Sequence, residues 1–222
     1  MNLNRRPVRQ VKLIGGRLCL DFVNSVGGRG GDPSRRGNGP ASLTVRDDRL
    51  GDYFDLLAWS RRTGLLTEPE AQTLVREAGR NHKEAAAVFN RAIALREAIY
   101  RICTAAIGAR QPPASDLDLL NQELSIAHGR LRLAAGKENL VWQWTDIKKA
   151  LDRMLWLIAD SAAEMLTTGD LSRLKQCPGD DCGWLFEDTS KNRRRQWCDM
   201  QACGNLAKVR RFRSRLRRAS NQ

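Results

Sequence analysis

The chain has 222 residues, 41% of them apolar and 28% charged, with a formal net charge of +13. That length supports one good-sized core plus a small appendage, and no run of roughly 18 apolar residues exists to cross a bilayer. Residues 1–10 carry Arg5, Arg6 and Arg9 but lead into no apolar segment, so no secretory signal and no membrane partner are expected. The expected compartment is a reducing cytoplasm, where clustered cysteines mean metal more often than disulfide.

Residues 17–26 read as a strand or buried segment with Leu18, Leu20 and Phe22 on one side. The Gly-rich basic stretch 27–40 lacks the Gly-Lys-Ser/Thr ending of a phosphate-binding loop and reads as a surface loop. From Leu50 the pattern turns helical, with Tyr53, Leu56, Leu57 and Trp59 on one face and Gly64 as a stop. Thr67 and Glu70 then form a capping box for a helix running to about Arg80. Over residues 83–109, Val88, Ala92, Leu95, Ile99, Ile102 and Ala106 recur at spacings of three and four, the mark of a long buried helix.

Pro112 and Pro113 end that helix, and Ser115 stands where it could cap a fourth. Residues 131–134 and 140–144 flank a turn with Gly136 and Asn139, a hairpin signal. A further helix is expected over residues 146–167, with Ile147, Leu151, Met154, Ile158, Ala162 and Met165 as its buried stripe. The tryptophans up to this point are assigned to the core. The break at 167–170 marks the expected boundary between two domains, 1–170 and 171–222.

Six cysteines fall into two classes. Cys19 and Cys103 stand alone among apolar neighbours and read as buried, inert thiols. Cys177 and Cys182 have four residues between them, Cys198 and Cys203 likewise, and fifteen separate the pairs. Tetrahedral zinc needs four converging soft donors, which paired cysteines on two turns supply. Disulfides and an iron–sulfur centre are the alternatives at these ligands. With four protein thiolates no position remains for a catalytic water, so the expected cofactor is one structural Zn²⁺. Trp184, Phe186, Glu187 and Asp188 suit a short hairpin packed over the metal turns.

From Lys191 onward the chain holds 11 Lys or Arg against one acid, Asp199, so this stretch carries about +10 of the total. Such a block points to a polyanionic partner. Beyond Cys203 a helix is expected, with Val209, Phe212 and Leu216 as an apolar stripe that docks on the body. Basic residues cover both flanks. The candidate nucleic-acid contacts are Arg193, Arg194, Arg195, Asn205, Lys208, Arg210, Arg211, Arg213, Arg215 and Arg218, suited more to positioning on phosphates than to reading bases.

These residues resemble the CGNR zinc-finger family, whose members join this finger to an N-terminal domain called ABATE and are regarded as bacterial transcription regulators. The resemblance rests on Cys177, Cys182, Trp184, Phe186, Asp188, residues 194–198, Met200, Cys203, Gly204, Asn205, Lys208 and Arg211. At the other end it rests on Leu18, residues 20–25, Asp55, Leu56, Leu57, Trp59 and residues 64–66. The name-giving arginine after Gly-Asn is Leu206 here. The resemblance implies zinc, DNA binding, and a ligand- or stress-sensing role for the N-terminal domain, for which Asp21 and Asn24 are the polar candidates.

The expected fold is mainly α (α+β): a helical N-terminal domain with a small β-hairpin, then a small four-cysteine zinc-finger domain ending in a basic helix. The expected function is a zinc-dependent DNA-binding regulator, with DNA ahead of RNA as partner and a small-molecule effector and a homodimer as further candidates. An RNA-binding or protein-interaction zinc module without DNA binding is the alternative. His82 and His128 are the only histidines, and no hydrolase, metalloprotease or P-loop motif accompanies them, so no catalytic residue is expected.

Overall fold

The computed structural model describes residues 11–29, 47–145, 147–180 and 182–219, with side chains to Arg217. Most of the Gly-rich stretch 27–40 therefore lies outside the described residues. In chain order the elements are α1 (Leu18–Val23), β1 (Val26–Gly27), β2 (Asp47–Asp48), α2 (Tyr53–Arg62), α3 (Glu68–Arg80), α4 (His82–Ile107) and α5 (Ala114–Gly129). There follow β3 (Leu131–Ala135), β4 (Leu140–Trp144), α6 (Arg153–Thr168), β5 (Leu174–Gln176), β6 (Leu185–Glu187) and α7 (Asn205–Ala219). The strands form three antiparallel pairs: β1 with β2, β3 with β4, and β5 with β6. The fold is mainly helical, as the sequence predicts.

Residues 17–26 correct one expectation, since α1 is a helix rather than a strand. Cys19, Leu20, Phe22 and Val23 are all buried while Leu18 is only partly so, which is helical spacing rather than alternation. In so short an apolar run the two periods are hard to tell apart, and tertiary contact decides. The chain before α1 folds back so that the Gly15 N–H donates to the Asp21 carboxylate at 2.8 Å.

Local signals set most other boundaries. Asp52 caps α2 by accepting from the Asp55 N–H. Both halves of the Thr67–Glu70 capping box are present at the start of α3. α5 begins at Ala114 with Pro113 at its N-cap, so Ser115 lies inside the first turn instead of capping it. α6 begins at Arg153, later than expected; Leu151 is buried in the turn before it, with the Leu151 carbonyl accepting from the Tyr53 hydroxyl.

α4 is the spine, touching α1, α2, α3, α5, α6 and β5. The core around it joins Phe22, Trp59, Leu74, Leu95, Ile99, Met154 and Ile158, with the Phe22 and Trp59 rings 5.2 Å apart. Leu174 of β5 and Leu185 of β6 belong to this same core. The cysteine-bearing hairpin is thus built onto the helical body and not strung behind it. Cys19 and Cys103 are fully buried, and burial pushes the Cys19 thiol up to about 11 and that of Cys103 still higher, as befits inert thiols.

Two apolar groups depart from expectation. Trp142, assigned to the core, is 66% exposed at the outer part of the β3–β4 hairpin. Val209, Phe212 and Leu216 of α7, expected to dock, are 45%, 62% and 55% exposed. In both cases the spacing identifies an apolar face, but spacing carries no information about what covers it.

Candidate metal centre

Cys177 follows β5 directly and its N–H donates to the Trp184 carbonyl at 2.8 Å, so the loop carrying Cys177 and Cys182 is the tip of the β5–β6 hairpin. The Cys182 N–H closes the loop onto the Gly179 carbonyl at 2.9 Å. Gly179 keeps the loop close to the sulfurs: a Cβ there would stand 3.1 Å from the Cys182 Cβ and 3.3 Å from the Cys203 sulfur, so a side chain would press on the metal turns. Of the second pair, Cys203 sits on a π-helical turn, Met200–Gly204, and Cys198 just before it; the turn's first amides are capped by Asp199, whose carboxylate accepts from the Gln201 and Ala202 N–H groups. That turn runs straight into α7.

The four sulfurs all lie within 4.8 Å of one another, with 3.4 Å between Cys182 and Cys198 and 3.6 Å between Cys198 and Cys203. A tetrahedron of thiolates about 2.3 Å from a central zinc has edges of about 3.8 Å, so the cradle fits the ion. Hydrogen bonds from Cys182 and Cys198 hold the Cys177 thiol far below the usual range and push that of Cys198 up in return. Metal binding displaces the protons that the other thiols hold.

Cys177, Trp184, Phe186 and Cys198 pack together beside the sulfurs. Asp188, fully buried below them, is the polar hub of the module. It accepts from Lys175 Nζ at 2.6 Å and the Arg195 N–H at 3.0 Å on one oxygen, and from the Ser190 N–H and hydroxyl on the other. Burial alone would push its pKa up, but Lys175 and Ser190 pull it well below the usual carboxylate range.

The basic residues divide. Arg195 stacks on the Phe186 ring at 4.3 Å and donates to the carbonyls of Cys198, Ile14 and Trp197 at 2.6, 3.0 and 3.1 Å, so it fastens the second metal turn to the chain before α1. Arg193 is tied to Asp170 and Ser172. Arg210 pairs with Asp180 on the first metal loop. Among the described residues Lys208, Arg211, Arg213 and Arg215 form no ion pair and stand exposed on α7, and Arg194 is exposed beside the metal turns. Asn205 is exposed and bonds back to the Gln201 carbonyl, while the Arg218 side chain lies outside the described residues. Leu206 is 57% exposed and lines a cleft of about 700 Å³ between the metal turns, Lys12, Arg49 and the start of α7.

The polar candidates of the N-terminal part hold structure. Asn24 is buried with both ends of its amide engaged by β6: Nδ2 donates to the Leu185 carbonyl at 2.7 Å and Oδ1 accepts from its N–H at 2.9 Å. Asp21 turns the chain at Gly15. A sequence model of the ABATE family, described as "putative stress-induced transcription regulator", matches residues 16–169. The chain belongs to the ABATE family. The CGNR zinc-finger model matches residues 173–216, so the four cysteines are the ligands of one structural zinc. No curated protein matches the chain.

The ABATE region also contains a buried charge network that the sequence reading passed over. Arg96, 1% exposed, donates to both oxygens of Asp48 and to Ser25 and Glu97. Arg29 donates to both oxygens of Glu97 at 2.6 and 2.7 Å and lies over the Tyr100 ring at 4.1 Å, and its N–H reaches the Cys182 carbonyl. The signal was available: Arg96 occupies the position between Ala92 and Ile99 in the apolar stripe of α4, where a solvated charge does not belong. These pairs fasten β1 and β2, and the loop edge beside the metal turns, to α4.

Proposed function

We propose that the chain is a zinc-dependent DNA-binding regulator of the ABATE family, without catalytic activity, whose α7 lies along duplex phosphates. The single supporting observation is the arrangement of α7: it leaves the metal-bound turn as a helix, and from Asn205 to Arg217 it carries Lys208 and five arginines with no acid. Zinc fixes the direction in which that row of charges leaves the body. Lys208, Arg211, Arg213 and Arg215, with Arg194, are the phosphate contacts; Arg195 acts by holding the second metal turn, and Arg193 by tying its own loop to Asp170 and Ser172. Leu206 in place of the family arginine removes one cation from the first turn of α7.

The experiment is a titration of a mixed-sequence duplex and of a structured RNA at two salt concentrations, with zinc-loaded and chelated protein. Binding to duplex that falls with salt and is lost on chelation is expected. Replacing Arg211 and Arg215 together should preserve the fold and reduce the slope of log K against log salt by roughly two. Preference for RNA would move the partner class, and zinc-loaded protein that binds neither polyanion would overturn the reading.

A further inference from the structure

The cleft at the metal turns lies where the N-terminal part of the chain meets the finger. Lys12, Gly28 and Arg49 line it from one side, the cysteine loops and the first turns of α7 from the other. Its volume of about 700 Å³ is that of a small-molecule site, and such sites favour junctions of this kind. Trp184, Trp197, Ala202, Leu206 and Ala207 supply apolar walls. The charged side chains that line it are paired with one another: Lys12 with Asp199, Arg49 with Asp47 at 3.1 Å, and Arg210 with Asp180. Three cations and three carboxylates cancel, which leaves the metal centre to set the sign. Cys182, Cys198 and Cys203 line the cleft, and four thiolates around one Zn²⁺ leave two negative charges.

We propose that this cleft binds a small organic cation with an apolar body, of the aryl ammonium or phosphonium kind. The zinc–thiolate centre attracts its charge, and the apolar walls take its body. Indoles are the side chains best suited to a cation that has shed its water. Trp184 already holds one, since the Arg49 guanidinium lies 5.1 Å over its ring, and Trp197 offers a second indole. An anion fits less well. The chain's excess of positive charge begins at Lys191, yet among the described cations from there on only Arg210 lines the cleft, and Asp180 engages it. An anion would have to displace a carboxylate from its partner and would stand beside thiolates. An occupant touches α7 through Leu206, Ala207 and Arg210 and the N-terminal part through Lys12 and Arg49, so it bridges the two.

The site does not depend on nucleic-acid binding and is tested without it. Tetraphenylphosphonium and tetraphenylborate share one shape and carry opposite charges. Each is titrated by calorimetry, up to about 1 mM, into the zinc-loaded full chain. One phosphonium ion per chain is expected to bind with a Kd below about 100 µM, and the borate at least tenfold more weakly. Leu206 is 57% exposed, so Leu206→Arg should keep helical circular dichroism and zinc content unchanged. It sets a guanidinium in the cleft and should weaken phosphonium binding at least tenfold. Lys12→Gln removes the partner of Asp199 and should tighten binding about threefold, a gain that lost packing would not give. That second variant also answers the question if Leu206→Arg fails to fold. Absence of phosphonium binding at the highest concentration, binding that both variants leave unchanged, or borate bound one per chain as tightly as phosphonium would overturn the proposal.

Discussion

Arg195 and Arg211 look alike in the sequence, and their surroundings separate them. The guanidinium of Arg195 is spent on backbone carbonyls of the metal turn and on the Phe186 ring, whereas that of Arg211 stands in solvent. Hydrogen bonds from a charged group are worth about 1.5–3 kcal/mol when truncation leaves the partner unpaired. Arg195→Ala should therefore cost about 2–3 kcal/mol and speed zinc release to a chromogenic chelator. Arg211→Ala should leave zinc release unchanged and weaken duplex binding. Equal zinc release from the two variants would show that Arg195 is not a fastener. Composition assigned both residues to one basic surface, because a run of arginines records charge and not what each side chain reaches. Asn24 teaches the same point: Asn24 and Leu185 are 161 residues apart, a distance over which no local pattern pairs them.

Elements were more legible where their signals are local. The Thr67–Glu70 box, the stop at Gly64 and the three-and-four spacing of α4 involve residues within one or a few turns of each other, and all are realised. α1 and the two exposed apolar faces were not legible, because each depends on what the rest of the chain brings against it. The capping box makes a quantitative prediction. Arg153 and the Thr67 N–H and hydroxyl lower the pKa of Glu70 to about 2 from its ordinary 4.5. The folded pKa is depressed, so the stabilisation is present above about pH 4.5 and is lost as the pH falls through about 2. Glu70 is 38% exposed, and solvent screening reduces its worth to about 1 kcal/mol. Glu70→Gln should lower stability by about that amount in urea unfolding at pH 7, with the difference from wild type shrinking below pH 4.5. A penalty constant from pH 7 to pH 2.5 would assign the effect to packing instead of charge.

At the scale of the whole molecule, the two family matches meet between residues 169 and 173, yet the packing runs across that line. Leu174 and Leu185 lie in the helical core, Trp184 Nε1 donates to the Val26 carbonyl at 2.8 Å, and Gln176 reaches the Tyr100 hydroxyl of α4 at 2.8 Å. An appended finger would lose its structure without zinc and leave the helices as they were. Here the hairpin that presents Cys177 and Cys182 is also a wall of the core, so losing the ion loosens that wall. Chelation should therefore lower the melting of the α-helical signal itself. If about 3 kcal/mol of the metal's contribution reaches the common core, the midpoint should fall by about 10 °C for a chain of this size, within one transition. Cys198→Ser should reproduce the shift, since it removes a ligand from the second pair without touching the helical core. A helical transition that keeps its midpoint while the finger melts separately would mean that the bonds across the family boundary transmit little.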